Sequence, residues 1–198
     1  ASSNFRGIRS AFPADLNETF LTGFSLLEKY NLAYDNWSPD FTRLPRLADL
    51  ANKNPGVTVI INHLGGKIDP SADEEELSAW RGAIDSVAAC SNTVMKLGGA
   101  QMRVGDWEPQ YHMHKAESPW DSDKFLSTLL PRYQYAFEKF GPDRCMFESN
   151  FPVDKDCISY RTLWNLLKKI ATKLGLSESE KMSVFSGTAA RAYRLDQP

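Results

Sequence analysis

Apolar residues fall into two alternating patterns along the chain. Short, nearly continuous runs at Phe5 to Ile8, Leu32 to Asp35, Val57 to Asn62, Thr93 to Leu97 and Cys145 to Glu148 predict five β-strands. Continuous rather than alternating runs are the mark of parallel strands covered on both faces. Between them the spacing changes to that of helices. Leu16, Phe20, Phe24 and Leu27 share one helical face, as do Phe41, Leu44, Leu47, Ala48 and Ala51. Leu77, Trp80, Ile84 and Val87 form a third face, and Phe125, Leu129, Tyr133 and Phe137 a fourth. Each repeats at the 3.6-residue period of an amphipathic helix. Pro131 within the fourth is expected to kink it or shift its start. A fifth helix carries Tyr160, Leu163, Leu167, Ile170 and Leu174 and stops at Gly175. Ser177 to Glu180 reads as a capping box opening a short helix, and Ala189 to Tyr193 makes one last turn.

Strand and helix thus alternate five times, with a helical tail, which implies a parallel α/β sheet. Two architectures fit: a doubly wound open sheet, or part of a (β/α)8 barrel. A whole barrel takes about 250 residues, and this chain has 198. No Gly-x-Gly-x-x-Gly follows the first strand, which argues against a dinucleotide-binding sheet. The longest connection, Gly98 to about Trp120, is expected to be an active-site lid. It holds His112 and His114. Such a pair faces one way only along a strand, so here it is read as solvated or packed in the lid rather than as a metal site.

Composition narrows the classes. Hydrophobic residues are 42% and charged residues 24%, as in a globular chain. A net charge of -2 gives no basic excess for nucleic acid or an anionic membrane. No apolar run approaches the ~18 residues of a membrane span. Cys90, Cys145 and Cys157 lack C-x-x-C spacing, so neither a disulfide framework nor a zinc knuckle is indicated, and a cytoplasmic location is expected.

In both architectures ligands bind at the carboxyl ends of the strands. That rule selects Arg9, Asp35, His63, Lys96 and the stretch Glu148 to Asn150. A cation, a carboxylate and an imidazole at one rim suit hydrolysis: the cation orients an anionic substrate, while the imidazole or carboxylate moves a proton or holds a metal. Each residue has a plainer alternative. His63 can cap a turn before Leu64-Gly65-Gly66, Arg9 can form a rim ion pair, and Asp35 can cap or turn. Lys96, in an apolar strand, needs a carboxylate partner. Gly65, Gly66, Gly98 and Gly99 read as tight-turn glycines. In an extended strand Glu148 and Asn150 point the same way and can orient and deprotonate water; otherwise Ser149 and Asn150 only shape the turn before Pro152.

These motifs, in order, resemble the amidohydrolase superfamily, in its branch of barrel-fold hydrolases that includes lactonases. Phe5-Arg6-Gly7-Ile8-Arg9 resembles the family's fourth strand, and Val59-Ile60-Ile61-Asn62-His63-Leu64-Gly65 its His-Leu-Gly signature at the sixth. Thr93 to Gly99 resembles the seventh strand, and Arg144 to Val153 the eighth, where many members have Ser-Asp-Trp-Pro. Thr188-Ala189-Ala190-Arg191-Ala192-Tyr193 is similar to the family's closing Asn-Ala-x-x-x-Tyr.

The resemblance implies a single (β/α)8-type domain over residues 1–198, N-terminally incomplete, with about five β-α units and C-terminal helices. No segment matches the His-x-His of the family's first strand, so the first three units are expected to be missing. Open sheet edges then predict self-association. It implies a hydrolase, lactonase-like, opening a cyclic ester of a small and anionic metabolite. His63 would bind a divalent metal, zinc first, or polarise the carbonyl; some members of the branch work without metal. Arg9 would hold a substrate carboxylate, with Asp35 and Lys96 also on the substrate. The family's water-activating Asp is Asn150 here. An amide cannot take a proton, so Glu148 or Asp154 is expected to take over. The alternatives are an inactive barrel-fold binding or assembly module and an unrelated open-sheet binder of a small anion.

Overall fold

The computed structural model describes residues 4–69, 71–100 and 119–195. The His112–His114 pair and nearly all of the expected lid fall outside these residues. The five strands are β1 (Gly7–Ala11), β2 (Ala33–Trp37), β3 (Val59–Ile61), β4 (Thr93–Leu97) and β5 (Cys145–Phe147). They form one sheet in the order β1-β2-β3-β4-β5, parallel at every step.

That order decides between the two architectures. A doubly wound sheet reverses its direction of growth at a switch point. Here every crossover advances one strand the same way, which keeps the connecting helices on one face, as in a barrel. The helices are α1 (Glu18–Lys29), α2 (Leu44–Lys53), α3 (Glu74–Ala88), α4 (Ser122–Phe140) and α5 (Tyr160–Lys173). Tyr34, Val59, Ile61, Met95, Leu97, Cys145 and Phe147 point to that face and join the helices in one large core. The fold is therefore of the (β/α)8 type, with five β-α units and a C-terminal helical tail.

The opposite, inner face follows from strand register. Arg9 pairs with Asp35, Asp35 with Ile60, and Ile60 with Val94, while Lys96 pairs with Met146. Ala33, Ile60 and Met146 form a second small cluster with Ala192, against which Val94, Ala189 and Tyr193 pack. In the tail, the short α6 (Glu178–Met182) has the expected capping box between Ser177 and Glu180. The last segment, α7 (Thr188–Tyr193), covers the inner face. It is tied to the chain start by Arg6 Nε donating to the Arg194 carbonyl at 3.1 Å and Arg194 Nη2 to the Arg6 carbonyl at 3.0 Å.

Local chemistry sets the helix starts. Asn17, Asp73, Asp121 and Ser159 each accept a backbone N–H from the first turn of their helix. Of the two expectations for Pro131, the shifted start is not seen: α4 begins nine residues ahead of it and runs on past it. Its ring is exposed, while Phe125, Leu129 and Phe137 on both sides stay in the core. Burial of about 1.5–3 kcal/mol for each large side chain outweighs the ~3 kcal/mol a helical proline costs. β1 begins at Gly7 rather than Phe5, whose side chain is 48% exposed.

Candidate functional site

At the carboxyl end of the inner face the strands bring six polar side chains together. Asp35, from the middle of β2, is buried, and its carboxylate is fully engaged. Oδ1 accepts from Asn62 Nδ2, and Oδ2 accepts from Lys96 Nζ at 3.1 Å and from the Tyr193 hydroxyl at 2.5 Å. Lys96 lies between two carboxylates, 3.1 Å from Asp35 and 3.9 Å from Glu148 Oε2. The plainer reading of Lys96, a paired lysine in an apolar strand, describes its surroundings. Burial, followed by the bond to Asp35, raises the Tyr193 phenol above its ordinary range, so it remains a donor.

His63 completes the group. Strand alternation would send it the way of Ile61, out toward the helices. Instead His63 and Leu64 adopt left-handed backbone, φ 53° and 54°, which swings the imidazole onto the inner side. Trp80 Nε1 donates to the Leu64 carbonyl at 2.9 Å and fixes this turn. Nδ1 then sits 2.5 Å from Glu148 Oε1. The contact is close but off the hydrogen-bond axis: both atoms are buried and neither has an aligned partner among the described residues. Nε2 faces Arg9 Nη2 at 3.2 Å. A guanidinium only donates, so Nε2 carries the lone pair and the ring proton lies on Nδ1, toward Glu148. Trp37 packs edge-on against the imidazole, centroids 4.7 Å apart.

The glycines after β4 make room for this pair. A Cβ on Gly98 would collide with the Glu148 carbonyl oxygen, and one on Gly99, at φ +67°, with His63 Nδ1. Gly98 and Gly99 therefore allow a close approach as well as a turn.

Asn150 and Asp154 sit apart from that contact. The extended geometry that would align Asn150 with Glu148 ends with β5 at Phe147, and Asn150 turns left-handed at φ 49°. Its Nδ2 donates to Asp154 Oδ1 at 2.7 Å. Asp154 is wholly buried, and Oδ2 has no partner among the described residues. Burial pushes its carboxyl up to about 7, against the opposing bond from Asn150 and with a smaller push from the Glu148 charge. It stands behind Asn150 rather than at the open rim.

Asn62, Trp37 and Tyr193 were not among the residues selected from sequence. Asn62 had a signal, two positions beyond Ile60 on the same strand face. Tyr193 had none as a site residue, because it reaches the cluster from the far end of the chain.

Among the described residues no three His, Cys, Asp or Glu side chains converge as a metal site requires. Both ring nitrogens of His63 face protein groups instead. Among the described residues this arrangement does not supply a metal's ligand set. No helix among the described residues is long and apolar enough to cross a membrane.

Comparison with known proteins gives the relatives. The chain is 33% identical over 207 residues to uncharacterized protein y4mH of Sinorhizobium fredii, covering 98% of this chain and 62% of that protein. It is 28% identical over 181 residues to the L-fucono-1,5-lactonase of Burkholderia multivorans, covering 90% of this chain and 57% of that enzyme. The crystal structure of an amidohydrolase from Burkholderia multivorans with bound zinc superposes with a TM-score of 0.79 at 26% identity, covering 96% of this chain and 65% of that one. A probable 2-pyrone-4,6-dicarboxylic acid hydrolase from Acinetobacter baumannii shares the fold, with a TM-score of 0.66 at 15% identity, covering 96% of this chain and 64% of that one. The chain thus spans less than two thirds of the length of each of these relatives. The sequential parallel sheet and the ordered strand-end motifs agree with a family profile described as "Amidohydrolase", which matches residues 4–195: the chain belongs to the amidohydrolase family.

Proposed function

We propose that this domain hydrolyses a lactone, with His63 and Glu148 as its proton-transfer unit. The observation that carries the reading is the 2.5 Å approach of Glu148 to Nδ1, which puts the lone pair on Nε2, where Arg9 meets it. The carboxylate fixes the tautomer and steadies the imidazolium that forms when Nε2 accepts a proton, the division of labour of a carboxylate–histidine pair. Water bonds to the lactone carbonyl carbon as its proton passes to Nε2. The ring C–O bond then breaks, and His63 returns the proton to the departing alkoxide. The off-axis Nδ1–Glu148 contact is expected to straighten as substrate enters, since such bonds are commonly poorly aligned in empty sites. Asn150, its amino group held by Asp154, keeps Oδ1 free to accept from the attacking water. Asp154 is then a positioning residue. Arg9 holds a substrate carboxylate, while Asp35 and Lys96 form the ionic floor beneath. The fuconolactonase relative supports the ester class.

The test is a panel of sugar and carboxylated lactones with Glu148→Gln and His63→Ala. Each substitution is expected to lower kcat/KM by about 10²- to 10⁴-fold. Hydrolysis that survives both at wild-type rate would overturn the assignment. The zinc in the similar structure supports a divalent metal in the whole protein, and elemental analysis of the purified protein reads that directly. The chain is also proposed to self-associate through β1, where Phe5 and Ile8 are 48% and 39% exposed along an edge that pairs only with β2 among the described residues. Light scattering after size exclusion is expected to show a dimer or larger species that Ile8→Lys dissociates.

A further inference from the structure

We infer that Arg9 is a removable cap on the base, and that a carboxylate on the substrate lifts it off. The inference rests on the reading of His63 Nε2 as the proton acceptor. It adds a specificity device: the substrate's own anionic group unmasks the residue that attacks it.

The geometry supplies the parts. Arg9 Nη2 stands 3.2 Å from Nε2, so the lone pair needed for catalysis is already engaged by a donor that does not give up its proton. The rest of the guanidinium has no carboxylate or carbonyl partner among the described residues. Among the described residues it also lies over the Trp37 ring, 6.0 Å from the centroid. Buried or structural arginines of this chain look different: Arg144 donates to the Ala88 and Cys90 carbonyls at 3.0 Å, and Arg132 to that of Ile68 at 3.2 Å. Arg9 lies instead on β1 and is exposed among the described residues. The nearby carboxylates do not compete for it, because Lys96 sits 3.1 Å from Asp35 and 3.9 Å from Glu148.

An incoming carboxylate changes that balance. A two-pronged, charge-assisted pair with a guanidinium is roughly twice as strong as a neutral hydrogen bond, so it outcompetes one bond to an imidazole. Trp37 lies beside both partners, its ring centroid 6.0 Å from the guanidinium and 4.7 Å from that of the imidazole, and so offers the guanidinium an aromatic neighbour as it moves off. Anionic lactones thereby gain in kcat as well as in KM, whereas neutral lactones meet a capped base.

The experiment uses acetate as the probe. On wild-type protein with a neutral lactone, saturating acetate is expected to raise kcat by about tenfold, the loss of one competing hydrogen bond. Arg9→Met is expected to have the higher neutral-lactone kcat without acetate, no response to acetate, and a raised KM for a carboxylated lactone. In parallel, 15N NMR of the His63 ring, identified against His63→Ala, follows Nε2 during an acetate titration. A shift in wild type that is absent in Arg9→Met supports the cap even if no lactone in the panel is hydrolysed, in which case only the hydrolase reading falls. Hydrolysis with neither acetate activation nor an Nε2 shift overturns the cap and leaves the hydrolase reading standing.

Discussion

Replacing Asp154 by Asn tests the electrostatics behind the site through stability. Asp154 is fully buried, and its carboxyl is pushed from an ordinary 3.8 to about 7 by burial, opposed by the Asn150 bond and aided by the Glu148 charge. The folded protein therefore keeps this proton up to about pH 7, while the unfolded chain releases it near pH 4. Between these values the folded state binds more protons, so rising pH erodes wild-type stability across that window. The gap corresponds to about 4 kcal/mol once both states are ionised. Asn has nearly the same shape and still accepts from Asn150 Nδ2, but has no charge to bury. Its second amide hydrogen-bonding group, set where Oδ2 lacks a partner among the described residues, adds a constant penalty of about 1–3 kcal/mol. The diagnostic is thus the slope. Urea unfolding followed by tryptophan fluorescence at intervals from pH 4 to pH 8 is expected to show the variant gaining on wild type by up to about 4 kcal/mol across the range, with a plateau above 7. A stability difference that stays flat over those pH values would refute the buried-acid account.

Three other substitutions probe the framework. Gly99→Ala is expected to destabilise by about 1–3 kcal/mol and to displace the imidazole, whereas Gly175→Ala, at the same φ of +67° but with open space around it, is expected to carry only the backbone part; comparing the two in unfolding and lactonase assays isolates the His63 contact. Tyr193→Phe removes the 2.5 Å bond to Asp35 and is expected to cost about 2 kcal/mol, read as a lower urea midpoint.

Much of the fold was legible because burial on one or both faces leaves its period in the sequence. β4 matches its apolar run at both ends, and the outer-face residues Val59, Ile61, Met95 and Leu97 all lie in the core. What was not legible were features that depend on distant partners. Proline in α4 is tolerated because of tertiary packing that no local rule records. The choice between open sheet and barrel needed strand order, which hydrophobic period does not encode. Within the site, the strand-end rule selects residues that the structure brings to one rim, yet it gives Asn150 an orientation that only an extended strand would have. The mutual pairing of Asp35 and Lys96, with Tyr193 and Asn62 completing the set, matches the plainer alternative for Lys96 and needs partners that no local pattern names.

The position of His63 shows why rim residues resist reading by parity. Alternation from Ile61 would bury its ring among the helices, where a lone imidazole would need its own partners. Two consecutive left-handed residues, neither of them glycine, reverse that outcome, and each such conformation costs on the order of 1–3 kcal/mol. A turn that merely joined β3 to α3 could use glycine throughout at lower cost, and Gly65 and Gly66 follow at once. That the strain falls on His63 and Leu64 instead, with Trp80 holding the Leu64 carbonyl and Gly99 vacating the space beside Nδ1, means that three separate elements converge to aim one ring at Glu148 and Arg9. The ring gains an off-axis contact, one hydrogen bond and the edge of Trp37; the proposed role of His63 in proton transfer supplies a reason for the convergence that these contacts do not.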